Sequence, residues 1–139
     1  MLSIITKAAE NFCEHQIRKP YLLNTTVPKM RMLIASIEIV QNEKSHTVYV
    51  AITKELVQNI CEIFLFEDES DEDTLQDMLL ETTNMIVGSA KVLAQDEVDI
   101  KGFNIKTPLF LETKRFDYSC DEMSRISLKN GSILLAIKE

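Results

Sequence analysis

Three polar residues and a glycine recur on one face of a long amphipathic segment, and their types suit the handling of a bound water or of a partner's charge. Asp77, Glu81, Asn84 and Gly88 follow one another at intervals of four, three and four residues, and Lys91 continues the line. Residues at these intervals share one face of an α-helix. The carboxamide of Asn84 both accepts and donates hydrogen bonds, so it can hold a water molecule, whereas the carboxylate of Glu81 can pair with a partner's lysine.

This face departs from helix-forming preference at two positions. Asn84 is a poor residue for a helix interior, and Gly88 costs about 1 kcal/mol there relative to alanine. Sequences tend to break a local rule where function requires it, and Gly88 leaves bare backbone that another molecule could approach closely. The same residues also suit an ordinary solvated face with one glycine, so their types and spacing leave both interpretations open.

Other constellations of catalytic or metal-binding residues are not indicated. His15 and His46 are far apart and suggest neither a metal site nor nucleophilic catalysis. Residues 67–73 hold six acids in seven positions, without the spacing or the glycine of a calcium loop, and are expected to form a solvated loop. Asp77 and Glu81 on an open helix face are poorly placed for acid–base catalysis. We therefore expect this chain to supply a few groups to a site that another molecule completes.

The segment that carries this face is predicted to be a helix over residues 74–95, with Asp73 as its N-cap and Gln76 completing the cap. A first helix is predicted over residues 2–19, before Pro20, and a second over about 54–66, with Thr53 as N-cap. The inward stripe of the third helix is predicted to contain Leu75, Leu79, Thr82, Ile86, Ser89 and Leu93.

Alternation of apolar and polar residues predicts two strands over residues 31–40 and 46–52, joined by a turn into a hairpin. Asn130-Gly131 is a strong signal for a second hairpin. Further extended runs cover residues 21–26, 98–103, 108–115, 117–129 and 132–138. The order of helices and strands is loosely repeated in the two halves. We expect one α/β (α+β) domain over residues 1–139, with a mainly antiparallel sheet layered with long helices.

Composition narrows the classes of partner. The chain has 139 residues and a net charge of −7, which argues against binding of nucleic acid and gives no support for an anionic membrane surface. No apolar run approaches about 20 residues, so no membrane span is predicted. Cys13, Cys61 and Cys120 are well separated and form no CxxC pair, which favours reduced thiols in a cytoplasmic protein.

The motif Asp77-x3-Glu81-x2-Asn84, continued by Met-Ile-Val-Gly88-Ser-Ala-Lys91, resembles the signature of the CheC/CheX/FliY phosphatases of bacterial chemotaxis. The family's signature also includes a later proline, which Pro108 matches at 24 positions after Asn84, one more than the usual spacing. The resemblance is strongest over residues 65–112 and implies the pseudo-symmetric fold of that family. Because only one copy of the motif is present, the chain looks most like the CheX branch.

This resemblance implies an aspartyl-phosphate phosphatase that acts on a CheY-like response regulator. Asn84 would orient the attacking water, Glu81 would contact a lysine of the regulator, and Asp77, Gly88 and Lys91 would border the partner. Mg²⁺ would belong to the regulator, so this chain would need no metal or cofactor. An alternative of the same fold remains open, namely a non-catalytic adaptor that binds a receiver or serves in the flagellar switch.

A CheX-like chain also implies a homodimer. The apolar residues 133–137 are predicted to form a strand whose edge must be covered or paired. We therefore expect a two-fold dimer in which sheets or swapped strands meet, with both Asn84 helices facing solvent.

Overall fold

The computed structural model describes residues 1–97 and 103–139, and in these residues one antiparallel sheet carries three α-helices on one of its faces. The helices are α1 (Leu2–Asn11), continued by a π-helix (Phe12–Ile17), α2 (Lys54–Leu65) and α3 (Glu72–Glu97). The strands are β1 (Tyr21–Asn24), β2 (Met32–Gln41), β3 (Lys44–Thr53), β4 (Asn104–Ile105), β5 (Leu109–Lys114), β6 (Glu122–Leu128) and β7 (Gly131–Lys138). The predicted antiparallel sheet layered with helices is confirmed.

The sheet has a pseudo-two-fold arrangement in which the two halves of the chain exchange their outer strands. Its order is β1-β6-β7-β3-β2, and both β4 and β5 pair with the far side of β2. Each half supplies a helix followed by three long strands, α1-β1-β2-β3 and α3-β5-β6-β7. If β1, β2 and β3 are exchanged with β5, β6 and β7, the same strand order results, read from the other side of the sheet. As a result, β1 pairs with β6 of the other half and β5 pairs with β2.

Both predicted hairpins form. The turn between β2 and β3 consists of Asn42 and Glu43, whose φ angles of 51° and 65° are those of a tight two-residue hairpin turn. In the second hairpin Leu128 of β6 lies opposite Gly131 of β7, so residues 129–130 make the turn. The alternation in β2 is also confirmed, because Leu33, Ala35, Ile37 and Ile39 face the helices in the main core.

Residues 133–137 form the predicted strand, and its edges are paired, but both partners are strands of this chain and not of a second copy. These residues belong to β7, which pairs with β3 on one side and β6 on the other, and all five are buried. An apolar run without alternation is what a strand covered on both faces requires. The outer strands among the described residues are instead β1 at one side of the sheet and β4 and β5 at the other.

The helix ends differ from the predictions in their hydrogen bonds. The Thr53 side chain does not cap α2, because its Oγ1 accepts the backbone N–H of Ser132 on the neighbouring strand, at 3.1 Å. Helix α3 is capped by Asp71 and not by Asp73: Oδ1 of Asp71 accepts the N–H of Thr74 at 2.8 Å. Asp73 therefore lies inside the first turn, where its charge still suits the positive helix end.

Two predicted boundaries also shift. The first helix becomes a π-helix after Asn11 and ends at Arg18, whose φ is 52°. The predicted strand 117–129 begins only at Glu122, because part of residues 115–121 covers a small second core on the sheet face away from the helices. There Phe116 and Tyr118 pack against Tyr49. The predicted run 98–103 lies outside the described residues except for Phe103, which is buried.

No helix within residues 1–97 or 103–139 combines the length and the hydrophobicity that crossing a lipid bilayer requires.

Candidate functional site

Helix α3 is fixed by contacts with three neighbours, which are α1, α2 and the strands of the sheet. This makes its buried face wider than the predicted stripe. Ser89 and Leu93 of that stripe are only half-buried, while residues beside it are fully covered. The buried residues of α3 are Leu75, Met78, Leu79, Thr82, Thr83, Ile86, Val87, Ala90 and Ala94. A helix held on several sides can present its remaining face with little freedom of movement.

That remaining face carries the residues singled out in the sequence. Asp77, Glu81 and Asn84 are exposed, and Gly88 and Lys91 are half-buried. The side chains of Glu81 and Asn84 make no hydrogen bond or ion pair within the part of the chain that the structure describes. Their polar groups are therefore not used by the fold and are available to another molecule.

Asn84 and Gly88 border a depression whose opposite wall is the loop 105–108, between β4 and β5. Lys106 ties this loop to β2: its N–H donates to the carbonyl oxygen of Glu38 at 2.9 Å, and its Nζ lies 3.3 Å from Oε2 of Glu38. The buried Pro108 belongs to the same wall. The proline singled out by its spacing from Asn84 therefore lies beside Asn84 in space.

Glu81 and Asp77 border a different depression, on the side of α2. Its floor is apolar and includes Phe64 and Leu65 from the end of α2, together with Met78 and Met85 of α3. The structure thus divides the predicted residues, with Asn84 and Gly88 towards β5 and Asp77 and Glu81 towards α2.

Lys91 lies farther along the same helix face. Seven residues separate it from Asn84, which corresponds to about 10 Å along the helix axis. It borders neither of the two depressions.

Gly88 is not required by the packing of this chain. A Cβ atom built on Gly88 would meet no atom within 4 Å, apart from its chain neighbours and the backbone of its own helix turn. The position is therefore open, and an alanine would fit without displacing a neighbour. The absence of a side chain leaves the backbone beside Asn84 accessible.

Neither histidine borders the Asn84 depression. His15, on the π-helix, lines a separate groove between that helix and α3, with Met85 and Ser89. His46, on β3, has its Nδ1 3.8 Å from Oε1 of Glu139. Within residues 1–97 and 103–139 no group of three or more histidine, cysteine or acidic side chains could hold a metal ion. The described site offers a carboxamide, a carboxylate and bare backbone on a rigid helix, which suits positioning of a water or a partner.

Two parts of this surface were missed in the sequence. Lys106 and Thr107 stand opposite Asn84, and the spacing of Pro108 was the only sequence signal that placed their loop there. The apolar floor next to Glu81 includes the end of α2, which the sequence presents only as an ordinary helix end. Both depend on tertiary packing between segments that lie 12 or more residues from the motif.

Comparisons with known proteins agree with this fold. A family model described as "Chemotaxis phosphatase CheX" matches residues 33–129, which is 97 of the 139 residues. A sequence comparison with curated proteins gives no match.

Solved structures resemble the chain over almost its whole length. CheX from Vibrio vulnificus is 17% identical, with a TM-score of 0.77, and the alignment covers 99% of this chain and 97% of that one. A chain of the CheX-CheY-BeF3-Mg complex from Borrelia burgdorferi is 15% identical, with a TM-score of 0.68 and coverage of 99% and 97%. FliY from Thermotoga maritima is 16% identical, with a TM-score of 0.63 and coverage of 98% and 84%. At these identities the likeness is one of fold.

Proposed function

Because this chain belongs to the CheX family of chemotaxis phosphatases, we propose that it hydrolyses the aspartyl phosphate of a CheY-like response regulator at the outward face of α3. The observation that carries the proposal is that the polar side chains of Glu81 and Asn84, on a helix held by three neighbours, have no partner among the described residues. The structural relative from Borrelia burgdorferi is in complex with CheY, which supports a receiver of that class as the partner.

In the proposed reaction Asn84 positions the attacking water molecule. Its carboxamide oxygen accepts a hydrogen bond from a water molecule and so aims the water oxygen at the phosphorus, opposite the aspartyl oxygen. The bond between the water oxygen and phosphorus forms as the bond between phosphorus and the aspartyl oxygen breaks. The products are inorganic phosphate and the free carboxylate of the regulator. A rigid helix favours this role, because loss of alignment by about 1 Å can cost a hundredfold in rate.

The residues around Asn84 hold the partner. Glu81 pairs with a lysine of the regulator, and Asp77, Gly88 and Lys91 border the docked surface, with Gly88 permitting close approach. The proposal places the Mg²⁺ on the regulator, where it would polarise the phosphoryl group. We also propose a cytoplasmic location, because the three cysteines are free thiols.

The test follows phosphate release from a phosphorylated CheY-like receiver of the same genome. We expect Asn84→Ala to lower the rate at saturating receiver by about a hundredfold or more, while the melting temperature and receiver binding stay nearly unchanged, because Asn84 is exposed. Gln95→Ala removes another exposed carboxamide of α3 and serves as the matched control, with an unchanged rate. Full activity of Asn84→Ala would refute the assignment.

Glu81 is tested below saturation, where docking limits the rate. Glu81→Lys would set two positive charges against each other and is expected to weaken the productive complex more than Glu81→Ala. If both variants and the unaltered protein gave equal rates, Glu81 would be a solvated helix residue with no role in docking. Binding without any hydrolysis by the unaltered protein would favour the adaptor function.

We further propose that the protein forms a homodimer through an outer strand of the sheet. Leu22 on β1 is 76% exposed and Leu109 on β5 is 62% exposed, and outer strands with apolar side chains are prone to pair. Sedimentation at micromolar concentration is expected to give about twice the chain mass of 15.9 kDa. A monomer would contradict this part of the proposal without affecting the catalytic part.

A further inference from the structure

The residue that follows helix α2 has a backbone conformation that is unfavourable for its type. Phe66 follows the last residue of α2 with a φ of 59° and a ψ of 33°, and its N–H donates to the carbonyl oxygen of Glu62 at 3.1 Å. This left-handed position usually holds glycine or asparagine, because a larger side chain is strained there. The Phe66 side chain is also 90% exposed, so no internal packing compensates for the strain.

Phe66 stands beside the apolar depression already described. Leu65, its chain neighbour, is 45% exposed and lines that depression with Phe64, Met78 and Met85. Methionine side chains adapt their shape to whatever packs on them. An exposed phenylalanine that directly follows a residue of a methionine-lined floor is typical of a surface that receives an apolar side chain.

One wall of this depression is acidic, and an acidic segment follows Phe66 in the chain. Asp77 and Glu81 form one wall, and the acidic loop 67–73 follows Phe66 directly. Among the described residues Asp68 and Glu69 form no ion pair or hydrogen bond, since the loop's contacts are those of neighbouring residues. Uncompensated negative charge around an apolar floor favours an occupant whose apolar side chain is flanked by lysine or arginine.

We propose that Phe66 and the depression beside it form a second docking contact for the phosphorylated receiver, which inserts an apolar side chain flanked by basic residues. The proposal rests on the function proposed above. Glu81 belongs both to the wall of this depression and to the proposed catalytic face, so a partner seated over Asn84 would reach the depression without a second binding event. The contact adds affinity and orientation and takes no part in the chemistry.

The first experiment measures binding and turnover separately for Phe66→Asn. Asparagine tolerates the left-handed conformation, so the melting temperature is expected to stay the same or rise. We expect the Kd for the receiver activated with beryllofluoride and Mg²⁺ to rise at least tenfold, as for an aromatic anchor in an interface. The phosphate-release rate at saturating receiver stays unchanged, because Asn84 is untouched. Met30→Asn, at a methionine that is 54% exposed between β1 and β2, is the matched control and leaves both quantities unchanged.

The second experiment tests the charge of the acidic segment that follows Phe66. Glu69→Lys is expected to raise the Kd, with a smaller effect at high salt, because exposed charges are screened. An unchanged Kd in both variants, alongside normal phosphate release by the unaltered protein, overturns this docking contact and leaves the proposed function standing. A Phe66→Asn protein that loses self-association but keeps receiver affinity assigns the surface to a second copy of this chain instead. No binding of the receiver by the unaltered protein overturns both proposals.

Discussion

Replacing Gly88 by alanine separates the requirements of the fold from those of a partner. Glycine costs about 0.8–1.0 kcal/mol relative to alanine in a helix interior. The added Cβ would meet no atom within 4 Å, so neither a clash nor a new packing contact should alter that figure. We therefore expect Gly88→Ala to raise the free energy of unfolding by about 1 kcal/mol. For a chain of this length this corresponds to a rise in Tm of about 3 °C.

A larger side chain at Gly88 is expected to weaken binding of the receiver if the receiver lies against this position, although it does not lower stability. Gly88→Leu should fold at least as well as the unaltered protein, while its side chain projects into the space that the receiver backbone would occupy. We expect the Kd for the activated receiver to rise at least tenfold. Val92→Leu enlarges an exposed residue of α3 on a different part of the helix surface and should leave the Kd unchanged.

Thermal unfolding followed by circular dichroism, with titration calorimetry against the receiver, measures both effects. Gly131→Ala supplies the contrast in stability: its φ is 142°, and a Cβ there would overlap the Thr53 hydroxyl oxygen. That variant should lose stability. A lower Tm for Gly88→Ala would contradict the conclusion that there is free space around Gly88. Unchanged receiver affinity in Gly88→Leu would contradict close approach of the receiver to this position.

Two further predictions concern buried groups. Thr82 and Thr83 are both fully buried in α3. Oγ1 of Thr82 has no hydrogen-bond partner within residues 1–97 and 103–139, while Oγ1 of Thr83 donates to the carbonyl oxygen of Leu79 at 2.8 Å. We therefore expect Thr82→Val to raise the free energy of unfolding, measured by chemical denaturation, by about 1 kcal/mol, and Thr83→Val to lower it by a similar amount. Equal changes in the two variants would contradict the hydrogen-bond assignment. Burial, with the nearby carboxylates of Glu10 and Glu14, raises the pKa of the Cys13 thiol from 9.0 to about 12. Between those values the unfolded chain loses this proton and the folded chain keeps it, so stability should fall as pH rises, by at most about 1.4 kcal/mol per pH unit. Cys13→Ala should make that slope shallower, and an identical slope would show that this thiol is not responsible.

The sequence was most informative where a periodic pattern and a local structure coincide. Alternation predicted a strand at residues 31–40, and Leu33, Ala35, Ile37 and Ile39 at alternate positions of β2 all face the helices. The four-three-four spacing from Asp77 to Gly88 likewise required only a helix to put these residues on one face. Such patterns are properties of neighbouring residues, so no knowledge of distant segments is needed.

The errors arise where a segment that is distant in the sequence determines the local structure. Thr53 is a suitable cap for α2 in the sequence, yet its hydroxyl bonds to Ser132, 79 residues away in the chain. The strand at residues 133–137 was expected to need a covered or paired edge, but only the fold shows that β3 and β6 of the same chain are its partners. The neighbours of Asn84 in the loop 105–108 follow from strand pairing with β2, and only Pro108 hinted at them. The catalytic roles of Glu81 and Asn84 stay predictions until the variants are measured.

The exchange of outer strands between the two halves has a consequence for synthesis on the ribosome. When β3 is complete, at Thr53, the β2–β3 hairpin has neither of its final neighbours, because β5 and β7 have not yet been made. The last of these strands ends at Lys138, 85 residues later. At roughly 5–20 residues per second this delay lasts about 4–17 s. During that interval the apolar face and both bare edges of the hairpin are open to other chains, which makes the nascent first half a substrate for chaperones.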